Sequence, residues 1–318
     1  MKTEWFRFGL EELCRVRTLQ DIGNLIMKYP FFTRRLFEVS RREAKLPLAL
    51  QLEPTNFCNI SCICCSRRLL ARAVGFMKMD LFKKIIDDAA ENRVRIIYLY
   101  LHGEPFLHPQ IMEMIAYLKK KGLASVITTN GMLLDRDVTR QLFECGMTNA
   151  DHLIISMLGN TKLTHERIME GVHHEQVIQN IEWLLTERAR RGSSGPIIEA
   201  AIYRMTENAH EVDEFVSRWR GIVDHVRKPA AISKQFSASA SCIHRTDSCK
   251  NISERLTIHW DGMVGLCHAD VDGYYNFGNM ADIDIRAAWN AKELLSIREM
   301  HLERRFEDLR LCAHCDWI

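Results

Sequence analysis

Between Pro47 and Arg227 the chain alternates short apolar runs with amphipathic segments, and this alternation limits the fold more than any other feature. Residues 48–52, 95–101, 124–128, 152–157, 197–205 and 223–227 read as strands. Residues 79–92, 110–121, 135–145, 175–191 and 209–219 read as helices, and Gly122, Gly146 and Gly192 stop three of them. Strands that alternate with helices predict an α/β fold with a parallel sheet, as an open doubly wound sheet or a partial barrel. Either arrangement puts chemistry on the loops at the carboxyl ends of the strands.

The pattern changes after residue 233. A Ser/Ala stretch at 237–241 leads to two short strands, 255–260 and 263–267, joined at Asp261-Gly262 as a β-hairpin. A helix over 285–302 and a cysteine-bearing tail follow. Residues 1–46 read as an amphipathic helical extension, with Leu19, Ile22, Leu25 and Ile26 on one side. The expected organisation is a helical extension at 1–46, an α/β domain at 47–234 and a small domain at 235–318.

Hydrophobic residues are 47% of the 318, enough for a sizeable core. The formal charge of +2 marks no polyanion partner and argues against nucleic acid. No apolar run approaches the ~20 residues of a membrane span. The opening MKTEWFRFGL carries charge where a signal peptide needs an apolar stretch, so the expected location is cytoplasmic, where thiols stay reduced. In that setting the 11 cysteines matter, since an odd number cannot form a complete disulfide framework and clustered thiols bind metal or iron–sulfur clusters.

The sharpest cluster is Cys58-x3-Cys62-x2-Cys65 on the loop after the first strand, with Cys64 beside it. Structural zinc takes four protein ligands, whereas three thiolates suit a [4Fe–4S] cluster with one iron open to substrate or cofactor. Downstream, Cys249-x17-Cys267 and Cys312-x2-Cys315 fit tetrahedral zinc or a second cluster equally on spacing. Cys14 and Cys145 read as core thiols, and His173-His174 as a solvated helix start.

At the first motif the sequence resembles the radical S-adenosylmethionine (SAM) superfamily. In that family the open iron binds SAM, whose reductive cleavage gives a 5′-deoxyadenosyl radical that abstracts hydrogen from substrate. His102-Gly103-Glu104-Pro105 resembles the family's Gly-Gly-Glu-Pro motif, with His102 in place of the first glycine. Thr129-Asn130-Gly131 and Ser156 stand where the family contacts the SAM carboxylate and ribose, and Ile168 to Gly171 resembles the segment beside adenine. The resemblance implies a partial (β/α)6 TIM-like barrel, with Cys58, Cys62 and Cys65 as cluster ligands. Gly103, Glu104, Pro105, Thr129, Asn130, Ser156, Ile168 and Gly171 are its implied SAM contacts. Cys64 departs from the family, which places an aromatic residue before the third cysteine.

The Cys249-x12-Gly262-x4-Cys267 hairpin is similar to the SPASM/twitch extension. This implies an auxiliary [4Fe–4S] cluster on Cys249, Cys267, Cys312 and Cys315 within a β-hairpin-plus-helix domain. The spacing resembles twitch-type aminocyclitol dehydrogenases. The expected activity is therefore oxidation of a hydroxyl on a sugar, polyol or aminocyclitol, with the auxiliary cluster as electron acceptor and flavodoxin or ferredoxin as donor. Peptide maturation, epimerisation or decarboxylation of a sugar derivative, and a metal-stabilised binding protein without chemistry are the alternatives. Arg204, Arg227, Lys234 and Asp270 are candidate substrate groups, and Cys242 a candidate hydrogen donor.

Overall fold

The computed structural model describes residues 45–228, 249–313 and 315. The expected helical extension, up to residue 44, lies outside the described residues, as do the boundary near 235, Cys14, Lys234 and Cys242.

The strands are β1 (Ala49–Leu52), β2 (Ser61–Cys62), β3 (Ile96–Leu99), β4 (Ala124–Thr129), β5 (His152–Ser156), β6 (Met169–Glu170), β7 (Ile197–Ala201), β8 (His225–Arg227), β9 (Arg255–Ile258) and β10 (Val264–Gly265). The helices are α1 (Met79–Glu91), α2 (Ile111–Lys120), α3 (Arg136–Glu144), α4 (Lys162–Ile168), α5 (His174–Arg191), α6 (Val212–Trp219), α7 (Lys250–Glu254), α8 (Ile285–Trp289) and α9 (Lys292–Leu302).

One sheet runs in the order β10-β9-β1-β3-β4-β5-β7-β8. Its six strands from β1 to β8 are parallel and follow chain order. A doubly wound sheet requires a reversal of that order. Without one, right-handed crossovers put every connecting helix on the same face, and the sheet curls into a partial TIM-like barrel.

Burial follows the pleat. Ile97, Leu99, Ile127, Leu153 and Ile155 are completely buried and belong to one core with Ile85, Ile86, Met114, Leu142, Val177 and Phe215 of the helices. Each such side chain contributes about 1.5–3 kcal/mol. The opposite row alternates with them: register aligns Gln51 with Tyr98, Tyr98 with Val126, Val126 with His152, and Ile154 with Glu199. On this inner row Tyr98, Val126, Thr128, His152 and Ser156 are half-buried, whereas Gln51, Ile154 and Glu199 are buried.

The C-terminal hairpin does not form a sheet of its own. β9 pairs parallel with β1, Ala49 opposite Arg255, and β10 returns antiparallel through a turn with Gly262 at φ +88°. The helix expected over 285–302 is two helices, α8 and α9. Asp284 caps α8 by accepting from Ala287 N at 2.6 Å, the backbone turns extended at Ala291 with ψ 132°, and the Trp289 carbonyl accepts from Arg298 Nη1 at 2.8 Å. α4 has seven residues, too few to show a helical period in the sequence.

Candidate active site

The loop after β1 carries the three-cysteine motif and is braced from across the barrel. Ser61 and Cys62 pair with Glu170 and Met169, and Ile63 N donates to Ile168 O at 2.9 Å. Gly171, at φ +95°, lies under the same loop; a Cβ there would stand 3.6 Å from Asn59 O. The segment from Ile168 to Gly171 thus holds the cysteine loop in place. Burial pushes the Cys58 and Cys65 thiols up, and Cys62 more strongly, with neighbouring thiolates adding repulsion at Cys62. Burial and Cys65 push Cys64 up to about 11. Thiolates crowded in this way need a bound cationic centre to become stable.

Beside the loop, the carboxylate of Glu104 ties the end of β3 to the end of β4. It accepts from Thr129 Oγ1 at 2.8 Å, Asn130 N at 2.8 Å and Phe106 N at 3.2 Å, and it is 2% exposed. Burial outweighs these bonds and pushes its pKa up to about 7. Asn130 Nδ2 donates to Asn59 Oδ1 at 2.8 Å, linking the motif to the cysteine loop. Gly103 has no substitute, because a Cβ would stand 2.3 Å from Thr55 O and 2.5 Å from Phe57 O. Pro105 opens a short 3₁₀ turn behind Glu104. Ser156 ends β5 on the inner row, opposite Ala201. Glu104, Thr129 and Asn130 thus form one hydrogen-bonded group joined to the cysteine loop through Asn59.

His102, the departure from the family pattern, belongs to a knot that sequence reasoning missed. Fully buried Glu53 accepts from Arg72 Nη2 at 2.6 and 2.7 Å, pairs with His102 Nδ1 at 3.0 Å, and accepts from Trp260 N at 3.2 Å. His259 Nδ1 stands 3.6 Å away. Burial alone would raise the Glu53 pKa, but His102, His259 and Arg72 together hold it well below the usual carboxylate value. His102 Nε2 donates to His268 O at 2.8 Å, Arg72 Nε donates to Val271 O at 2.7 Å, and Asp272 accepts from Ala71 N and Arg72 N. The knot therefore fastens the first cysteine loop and the Gly-Glu-Pro motif to the loop after Cys267. The one available sign was Glu53, a charge placed directly after an apolar strand.

Glu53, His102 and His259 are, among the described residues, the one set of three or more His, Cys, Asp or Glu whose donor atoms all lie within 4.8 Å of one another. Arg72 already supplies the cation there. The cysteines are spaced more widely. A single zinc with thiolates at about 2.3 Å would draw the sulfurs within about 4 Å of each other. Cys267, whose pKa rises far through burial, lies close enough to Cys249, Cys315 and Cys312 for each to push it further up. Four thiols that interact in this way suit one shared metal centre, zinc or an iron–sulfur cluster.

The remaining candidates are dispersed. Arg227 is on the lumen face of β8 and donates to Glu199 from Nε at 3.0 Å and Nη2 at 3.1 Å. Glu199 also pairs with His152 Nδ1 at 2.7 Å. Arg204 donates to Ala209 O at 3.1 Å and stays near its own loop. Asp270 is 1% exposed and its carboxylate accepts from Leu266 N, Tyr274 N and Tyr275 N, so it shapes the loop after Cys267. His174 is not solvated as expected: it is buried with Nδ1 3.0 Å from His165 Nδ1, and burial lowers His165 to about 4. Cys145 is partly buried, its Sγ 3.3 Å from Met112 O.

Comparison with known proteins agrees with this geometry. Residues 52–198 match the radical SAM superfamily, and residues 249–316 match the SPASM iron–sulfur cluster-binding domain. A tungsten-containing aldehyde ferredoxin oxidoreductase cofactor-modifying protein of Pyrococcus furiosus is 32% identical over 170 residues, 52% of this chain and 46% of that protein. A PqqA peptide cyclase of Gluconobacter oxydans is 30% identical over 38% of this chain and 33% of that protein. These matches span less than half of each relative's length. The crystal structure of BtrN in complex with AdoMet and 2-DOIA aligns with a TM-score of 0.57 and 18% identity, over 86% of this chain and 94% of that one. The two family matches fall on the braced cysteine loop with its Glu104 motif and on the C-terminal cysteines, and they show that the chain belongs to the radical SAM superfamily, with a SPASM domain after the barrel, a SAM-binding [4Fe–4S] cluster and an auxiliary iron–sulfur cluster.

Proposed function

We propose that the protein is a radical SAM oxidoreductase that oxidises a hydroxyl-bearing small molecule, a sugar, polyol or aminocyclitol. The observation that carries this reading is the set of polar side chains on the inner rows of the barrel, Gln51, Tyr98, Thr128, His152 and the Glu199–Arg227 pair. Hydroxyl-rich molecules need many fixed donors and acceptors, and an apolar lumen would leave their groups unpaired. Cys58, Cys62 and Cys65 hold the first cluster, and Cys249, Cys267, Cys312 and Cys315 the auxiliary one. Gly103, Glu104, Pro105, Thr129, Asn130, Ser156, Ile168 and Gly171 bind SAM. When bound, the first cluster and SAM would supply the chemistry for removing a hydrogen atom from substrate, and the auxiliary cluster would serve as acceptor for the second electron.

The chain's own part is to orient the substrate and take its hydroxyl proton. Glu199 is the acceptor, held in place by His152 and Arg227, which flank it at hydrogen-bond distance. A ferredoxin or flavodoxin in a reducing cytoplasm would supply the starting electron. Among the described residues no helix is long and apolar enough to cross a membrane.

A second reading, peptide modification, draws on exposed Phe57 and Phe76, stacked at 4.9 Å next to the cysteine loop, a surface suited to apolar side chains. The test is an anaerobic assay of the reconstituted protein with aminocyclitols, polyols and sugars against Ser- and Cys-containing peptides. The reading expects a small molecule to lose two hydrogens for each 5′-deoxyadenosine formed. Turnover confined to peptides would replace it. Glu199→Gln should lower turnover about 100-fold while leaving iron content and substrate-free SAM cleavage intact.

A further inference from the structure

His301, on the last turn of α9, is completely buried and places Nε2 3.2 Å from the sulfur of Cys312. The ring of Phe306 packs across it at 5.0 Å and 65°, and this turn is followed by the backbone bonds Cys312 N to Leu309 O and Cys315 N to Cys312 O that fold the Cys312–Cys315 pair. A cysteine that ligates iron is a thiolate and has no proton to give. In the loaded protein a contact of this length is favourable only when the imidazole carries its proton on Nε2 and donates it to sulfur. The separation is also too short for the nitrogen and the sulfur to be ligands of two different irons, so the ring acts on the cluster through Cys312.

We propose that His301 donates Nε2–H to the Cys312 thiolate and thereby raises the reduction potential of the auxiliary cluster. A donor at a ligand sulfur stabilises the form with the extra electron, because reduction increases the negative charge that sulfur bears. Burial of both residues makes that bond count for more than it would in water. The inference needs only the auxiliary cluster. It holds whether the substrate is a small alcohol or a peptide, and in either case it makes the cluster a better electron acceptor.

The test removes the first cluster with Cys58, Cys62 and Cys65→Ala in the full-length protein, so that the auxiliary cluster is the one observed, and follows its reduction by electron paramagnetic resonance. His301→Leu should lower the midpoint by about tenfold in the one-electron equilibrium, ~59 mV. His301→Gln, which keeps an N–H at a similar position, should recover most of that shift. An unchanged midpoint in the Leu variant with its iron intact would overturn the proposal. If the Leu variant loses iron, the protein with wild-type His301 decides. Pulsed resonance on ¹⁵N-histidine-labelled protein should give one nitrogen coupling and one exchangeable proton coupling, and the absence of both would overturn it.

Discussion

Glu104 is held by three hydrogen bonds and yet has its pKa raised to about 7, because burial costs the carboxylate more than those bonds return. The sign follows from linkage. The folded state prefers the protonated form, so the stability gained is full below the ordinary value of 4.5 and is lost as pH rises through about 7. Glu104→Gln cannot ionise. Measured by denaturant unfolding of reconstituted, SAM-free protein, its stability relative to wild type should improve by about 2 kcal/mol between pH 5 and pH 8. The same variant should lose SAM binding. A gap that stays constant with pH would mean that Glu104 is already ionised in the SAM-free protein. At this scale the motif residues were legible in the sequence, because Cys58, Cys62, Cys65 and Glu104 keep a fixed local spacing. Glu53, Arg72, Glu199 and His301 were not, because each gains its meaning from a partner far away in the chain.

The elements were readable where periodicity was long and unreadable where a single bond decides. The barrel strands and helices fall within a few residues of their expected limits. The break between α8 and α9 escaped notice because the backbone turns extended at Ala291, a residue whose type favours helix, beside a Trp289 carbonyl that Arg298 reaches from the next helix. β9 joining β1 was equally hidden, as strand pairing is non-local. That pairing brings the Glu53 knot together, since β9 delivers His259 and Trp260 to the end of β1. Arg72→Met would leave Glu53 charged and buried, at a cost of about 3–5 kcal/mol. Glu53→Gln combined with Arg72→Met should regain part of that loss, in urea unfolding. The knot is also acid-labile: because the Glu53 pKa is lowered, its contribution is present above the ordinary value of 4.5 and disappears as pH falls below it. A double-variant loss equal to the sum of the losses of Arg72→Met and Glu53→Gln measured singly would show that the pair contributes no coupling.

Over the whole molecule, two sets of thiols are tied to one sheet edge. The first stands on the loop after β1; of the second, Cys249 precedes and Cys267 follows the β9–β10 hairpin, which extends the edge of that same β1, and Cys312 and Cys315 come after α9. Chain order of the strands gives a partial barrel with polar side chains on its inner rows, and the knot fixes the SPASM loop against the end of β1. The sequence announced the barrel and both cysteine sets; it held no sign that the second set would be built onto the barrel's own sheet. The central claim is that these two sets hold two separate clusters, of which the first works with SAM. The most direct measurement is iron and sulfide content together with 5′-deoxyadenosine formation, in wild type and in the Cys58/Cys62/Cys65→Ala variant, both reconstituted anaerobically. We expect about eight irons in wild type and about four in the variant, with the nucleoside formed by wild type alone. About four irons accompanied by zinc in wild type, or SAM cleavage that survives in the variant, would contradict it.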